Sequence, residues 1–144
     1  MEETELKPEA LDIEITESIA INQNHSVIAK LEELQNLGIQ ISIDDFGTGY
    51  SSLAYLTKYP INTLKIAREF ICGITNSPLE EAIIASIIKL SKELKLEVIA
   101  EGVETEEQWQ FLQEQNCDHI QGFLFSKPVS SKDVWMLLHK KTTV

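Results

Sequence analysis

Five times along this chain of 144 residues a short strand pattern gives way to a helical one. Residues 11–16 alternate apolar and polar with period two and read as a strand. Val27, Ile28, Leu31 and Leu34 then share a helical face, and Gly38 is a natural stop. Residues 39–44 form the second expected strand, and 51–56 a short helix ended by Pro60. The third strand covers 63–66. Ser77 as N-cap and Pro78 in the first turn open a long helix with Ile83, Ile84, Ile87, Ile88 and Leu94 as its buried stripe. Residues 97–100 are the fourth strand, Thr105-Glu-Glu-Gln has the form of a capping box, 119–125 are the fifth strand and 131–140 the last helix. Strands separated by helices pair in parallel through right-handed crossovers, so the fold class is α/β with a parallel sheet.

The length suits one compact domain, and no Gly/Ser linker or low-complexity segment divides it. A single domain over 1–144, with its core at roughly 10–140, is therefore expected.

Side-chain parity narrows the architecture, because residues two apart on a strand share a face. Leu11, Ile13 and Ile15 oppose Asp12, Glu14 and Thr16; Ile39, Ile41 and Ile43 oppose Gln40, Ser42 and Asp44; Leu64 and Ile66 oppose Thr63, Lys65 and Ala67. A sheet covered by helices on both faces would read as continuous apolar runs. The inner face of a barrel accepts small and polar residues near its functional end. Glu14, Asp44, Lys65, Glu101 and Gln121 each sit near the C-terminal end of a different expected strand, where parallel α/β folds place their chemistry.

Two adjacent carboxylates, Asp44 and Asp45, close the second strand just before the glycine-punctuated loop Gly47-Thr-Gly49. Read alone, Asp45 is equally an Asx-turn or N-cap residue. Glu14, Asp44 and Asp45 together offer the hard oxygens that Mg²⁺ or Mn²⁺ prefers, and adjacent aspartates can bridge two ions. Two such ions clamp and activate water for in-line attack on a phosphodiester, with a nearby lysine orienting that water or stabilising charge. Metal-assisted phosphoester hydrolysis is thus the leading chemical class.

Other classes are excluded. A formal net charge of −11 argues against a nucleic-acid polymer as partner, since phosphate contacts need clustered Lys and Arg. His25, His119 and His139 lack zinc-ligand spacing. Cys72 and Cys117 form no CxxC pair and read as buried, inert thiols. Tyr50, Trp109 and Trp135 read as packing residues. No apolar run is long enough for a membrane segment and no basic leader is visible, so a cytoplasmic location is expected. A phospho-acceptor receiver domain also pairs acids at a strand end, but no aspartate lies between Asp45 and Asp118, and Asp118 precedes its strand.

The segments Glu14-Ile-Thr-Glu-Ser18, Asp44-Asp-Phe-Gly-Thr-Gly-Tyr-Ser-Ser52, Leu64-Lys-Ile, Glu101-Gly-Val-Glu-Thr105 and Gln121-Gly-Phe-Leu-Phe-Ser-Lys-Pro128 resemble the EAL domain family, the cyclic di-GMP phosphodiesterases of bacterial signalling. They follow family order and spacing over nearly the whole chain. The resemblance implies a (β/α)8 TIM-type barrel, represented here by about its last five strand–helix units, that hydrolyses cyclic di-GMP to linear pGpG. It implies that Glu14 and Asp44 ligate a first metal, Mg²⁺ or Mn²⁺, and that Asp45 helps hold a second. Lys65 would contact the nucleophilic water, Glu101 would ligate metal or assist the lysine, and Gln121 would line the site. Glu17 would anchor the loop carrying Gly47, Thr48 and Gly49.

The chain departs from the family pattern in two places. The name-giving Glu-Ala-Leu strand and a following asparagine strand lie upstream of the region represented, and Ala67 stands where the family usually has Asp. The resemblance therefore implies weak or no catalysis by this chain alone. The alternative is a degenerate, non-catalytic module for cyclic di-GMP binding or protein interaction. The first strand also lacks a neighbour on one side, which predicts a homodimer or other partner covering the open barrel edge.

Overall fold

A computed structural model describes residues 5–21, 25–48, 53–75 and 77–139. Strands β1 (Asp12–Thr16), β2 (Gln40–Phe46), β3 (Thr63–Ile66), β4 (Glu97–Glu101) and β5 (His119–Gln121) form one sheet in the order β1-β2-β3-β4-β5. Every pair is parallel. The helices are α1 (Glu17–Ile21), α2 (His25–Asn36), α3 (Arg68–Ile71), α4 (Pro78–Glu93), α5 (Glu106–Glu114) and α6 (Ser131–His139). The architecture is a partial (β/α)8-type barrel, an arc of five strand–helix units with β1 and β5 as its edges.

The aliphatic parity set makes the core. Ile41, Ile43, Leu64, Ile66 and Val98 are fully buried beneath Ile84 and Ile88 of α4 and Leu112 of α5. Each such side chain contributes about 1.5–3 kcal/mol relative to an exposed one. Helix starts follow their sequence signals. The Ser77 hydroxyl accepts from the Glu80 N–H, and Thr105 forms a reciprocal capping box with Gln108. Gly38 ends the turn after α2 at φ +94°, a conformation glycine adopts without strain.

Several elements differ from the sequence expectation. The second strand runs through both aspartates to Phe46, with a register shift between Ile43 and Phe46. The fifth strand stops at Gln121, short of residue 125. Gly122 there passes so close to the backbone that an added Cβ would lie 2.0 Å from the Val103 carbonyl oxygen, and the Phe125 and Ser126 N–H groups both turn back to the Gly122 carbonyl. Ile83 is 37% exposed, so the stripe of α4 is narrower than expected, with Ile84 and Ile88 at its centre.

Helices α1 and α3 are too short for the sequence to show a periodicity. Trp109 does pack against the core, but Trp135 is 68% exposed on α6, where its ring lies against His139. Cys72 is exposed rather than buried, and Cys117 is half-buried. Gly49, Tyr50, Ser51 and Ser52 lie outside the described residues.

Candidate metal centre

The C-terminal ends of four adjacent strands bring one ammonium among several carboxylates. Lys65 on β3 points to the inner face with its side chain only 7% exposed. Its Nζ lies 2.7 Å from Glu14 Oε1 on β1, 2.7 Å from Glu101 Oε1 on β4 and 3.1 Å from Asp44 Oδ1 on β2. Burial by itself lowers the Lys65 pKa; the carboxylates of Glu101, Glu14 and Asp44 overcome it and hold the group above its ordinary value. The Asp44 Oδ1 atom is buried, and among the described residues its close polar partner is the Lys65 ammonium at 3.1 Å, so a lone pair is left for another electrophile.

Asp45 joins this cluster through its backbone. Successive residues on a regular strand point to opposite faces, so Asp44 and Asp45 would normally diverge. The register shift makes a bulge here, and Asp45 takes φ +54°, a left-handed conformation that aspartate tolerates better than most residues. One oxygen each from Asp44, Asp45 and Glu101 then lies within 4.8 Å of the others. Adjacent ligand oxygens around an octahedral Mg²⁺ stand roughly 3 Å apart and opposite ones roughly 4 Å, so the three side chains must draw inward to close the set. Like charges at 4.8 Å repel by roughly 3 kcal/mol at an effective dielectric constant near 20. Hard oxygen donors, a buried Asp44 oxygen held only by the Lys65 ammonium and excess negative charge together fit a divalent ion.

The loop after Asp45 is tied from below. Glu17, 2% exposed at the start of α1, accepts a hydrogen bond from the Gly47 N–H at 2.9 Å. Gly47 has φ +100°, and a Cβ there would come within 2.4 Å of the Phe70 ring. The Thr48 hydroxyl donates to the Asp45 carbonyl at 3.0 Å. Tyr55 is fully buried, and burial followed by the Glu17 charge pushes its pKa up.

Gln121 stands in register with Glu101, but its side chain is exposed and is not among the contacts of Lys65. Instead it lines a surface hollow with Phe123 and Lys127, whose ammonium lies 5.6 Å from the Phe123 ring centre. Sequence reasoning missed two contacts near the site. Ser42 donates to Asp12 Oδ2 at 2.6 Å on β1–β2, and Arg68 pairs with Glu104 at 2.8 Å beside the strand ends. The signal for the second was Gly102, whose φ of +72° and missing Cβ let the Arg68 side chain pass.

Residues 1–128 match the family model for the EAL domain. The chain belongs to the EAL domain family. Among curated EAL relatives, the cyclic di-GMP phosphodiesterase NbdA of Pseudomonas aeruginosa is 47% identical over 119 residues, covering 83% of this chain. The solved PaMucR phosphodiesterase in complex with c-di-GMP superposes with a TM-score of 0.84 at 43% identity over 90% of this chain. The manganese/cy-diGMP complex of Klebsiella pneumoniae BlrP1 does so with a TM-score of 0.79 at 39% identity over 85% of this chain. BlrP1 was also solved as a calcium complex. This EAL chain spans 15% of the length of NbdA, 52% of the solved MucR chain and 31% of the BlrP1 chain.

Proposed function

We propose that this chain, as a single EAL-type domain unit, carries the metal-binding face of a phosphodiesterase that hydrolyses cyclic di-GMP to linear pGpG. The observation that carries the reading is the convergence of Glu14, Asp44, Asp45, Lys65 and Glu101 from four strand ends. Relatives named as cyclic di-GMP phosphodiesterases support the substrate. Manganese and calcium complexes of BlrP1 support a divalent ion, and magnesium belongs to the same reading.

In this reading Glu14 and Asp44 hold one ion, and Asp45 helps hold a second. A bound divalent ion supplies charge neutralisation at the phosphodiester and an attacking water of lowered pKa. Lys65 orients that water and meets negative charge developing on the phosphoryl oxygens, while Glu101 ligates metal or holds the lysine. Glu17, Gly47, Thr48 and Gly49 keep the loop after Asp45 in place, and Gln121 borders the substrate. Ala67 supplies no carboxylate, which weakens the second ion site.

The proposal extends to the sheet edges. A second copy or another protein covers β1 or the β5 flank, where Phe123, Phe125, Trp135, Met136 and Leu138 are exposed. Turnover by this chain is expected to be slow, because Ala67 supplies no carboxylate to the second ion site. A cytoplasmic location is part of the same reading, and among the described residues no helix is long and apolar enough to cross a membrane.

The test is hydrolysis of cyclic di-GMP with Mn²⁺, measured beside equilibrium binding of the dinucleotide. Turnover abolished by Asp44→Asn supports the enzyme. Binding without turnover transfers the reading to a non-catalytic module, and neither binding nor turnover sinks it.

A further inference from the structure

We propose that Lys65 is the internal counter-ion of the carboxylate cluster and that it sets how tightly the cluster takes a divalent ion. The inference rests on the metal reading above and concerns the regulation of that same site.

An ammonium has three N–H donors and no acceptor. In Lys65 three carboxylates approach the nitrogen, from Glu14, Glu101 and Asp44, on three different strands. The side chain is 7% exposed, so water has little part in that tripod. It has the form of a cation site in which the cation is covalently tethered. The ion pairs of Arg68 with Glu104 and of Lys92 with Asp118 lie outside it.

The tripod overlaps the converging triad. Asp44 and Glu101 belong to both sets, whereas Asp45 lies only in the triad. An ion drawn to Asp44, Asp45 and Glu101 must therefore share two carboxylates with the Lys65 ammonium. Four carboxylates around one ammonium leave a negative excess, so the cluster still attracts a cation.

Lys65 thus acts oppositely on two states. Without an ion it holds β1, β2 and β4 carboxylates that would otherwise splay apart. With an ion its like charge, a few ångströms away, opposes binding. Entry of the ion that draws Asp44 and Glu101 away from Lys65 frees N–H donors for an anionic phosphoryl oxygen. The lysine needed at the reacting group is then released only in a loaded site.

The experiment compares wild type with Lys65→Met and Lys65→Gln in the whole chain. Mn²⁺ affinity is read by calorimetry, and melting temperature with chelator or with Mn²⁺. The expected variants melt lower without metal, bind Mn²⁺ about tenfold more tightly or better, and gain more melting temperature from Mn²⁺ than wild type. Unchanged or weaker Mn²⁺ binding in a folded variant overturns the inference and makes Lys65 a residue that positions the ligands. If Lys65→Met is unfolded without metal, Lys65→Gln and Mn²⁺-driven refolding by circular dichroism decide. A refolding midpoint below the wild-type dissociation constant agrees, and one that stays above it after correction for the variant's own folding equilibrium overturns the proposal. Silence towards Mn²⁺ in wild type and variants alike ends the metal reading itself, and this inference with it.

Discussion

Glu17 and Gly47, thirty positions apart in sequence, are joined by a 2.9 Å hydrogen bond from the glycine N–H to the glutamate Oε2. The bond links the first turn of α1 to the loop leaving β2, two residues beyond Asp45 of the bulge. Both ends are constrained: Glu17 is buried, and Gly47 sits at φ +100° under the Phe70 ring. The carboxylate therefore fixes where the loop starts, and with it the direction of Asp45.

Removing that acceptor leaves a half-buried N–H without its partner. Glu17→Ala is expected to cost about 1–3 kcal/mol in denaturant unfolding, and Glu17→Gln, which retains an acceptor, clearly less. Equal losses for the two variants would mean that packing, not the hydrogen bond, is what the site uses. A weaker Mn²⁺ response in Glu17→Ala would tie the loop to the metal centre.

Acid stability offers a second check, through Asp118. Burial pushes its carboxyl up, but the Lys92 ammonium and the Val98 N–H prevail and hold it below its ordinary 3.8. A carboxylate lowered on folding stabilises the chain fully above its unfolded pKa and loses that contribution as pH falls through the folded value. The window is therefore at and below about pH 4. Asp118→Asn should flatten the stability–pH slope in that window while removing stability at neutral pH. An unchanged slope would show that other carboxylates govern acid unfolding.

How far the site was legible follows from which property each residue depends on. Strand parity is a sequence property, so the inward set containing Glu14, Asp44 and Lys65 could be read directly, and Glu101 followed from its strand end. The bulge was hidden: Asp45 reaches Asp44 and Glu101 only because its backbone is left-handed, and two adjacent aspartates are equally compatible with an Asx-turn. The length of β5 depends on Gly122 passing the Val103 backbone, a contact between segments 19 positions apart. Trp135 and Ile83 are more exposed than their helical pattern predicts, because apolar periodicity reports a helix face, not whether anything covers it. Gln121 shares the register and hence the sheet face of Glu101, but it stands on the edge strand β5 and its side chain is exposed.

The cysteines separate in reactivity. Cys72 is exposed beside Arg68, whereas Cys117 donates to the His119 carbonyl at 3.3 Å and burial pushes its thiol pKa up. Since the thiolate is the reactive form, a thiol reagent at neutral pH should modify Cys72 quickly and Cys117 only after denaturation. Mass spectrometry of the partly labelled native chain checks this. Labelling of Cys117 at the rate of Cys72 would place its thiol in solvent.

Ala67 provides the last prediction. It is fully buried at the end of β3, two residues beyond Lys65 on the same parity, and it precedes α3 without a side-chain hydrogen bond. An aspartate there would add a carboxylate beside a cluster that already carries excess negative charge. It could also cap the α3 N-terminus, an effect worth about 1 kcal/mol at ordinary helix starts. Without metal, the repulsion and desolvation outweigh the cap, so Ala67→Asp should lower the melting temperature in chelator. With Mn²⁺ the added ligand becomes favourable, and the melting temperature should rise further than in wild type. The diagnostic quantity is the difference between those two shifts. A variant equally destabilised with and without Mn²⁺ would show that position 67 faces packing rather than the ion, and that its carboxylate could not restore a ligand.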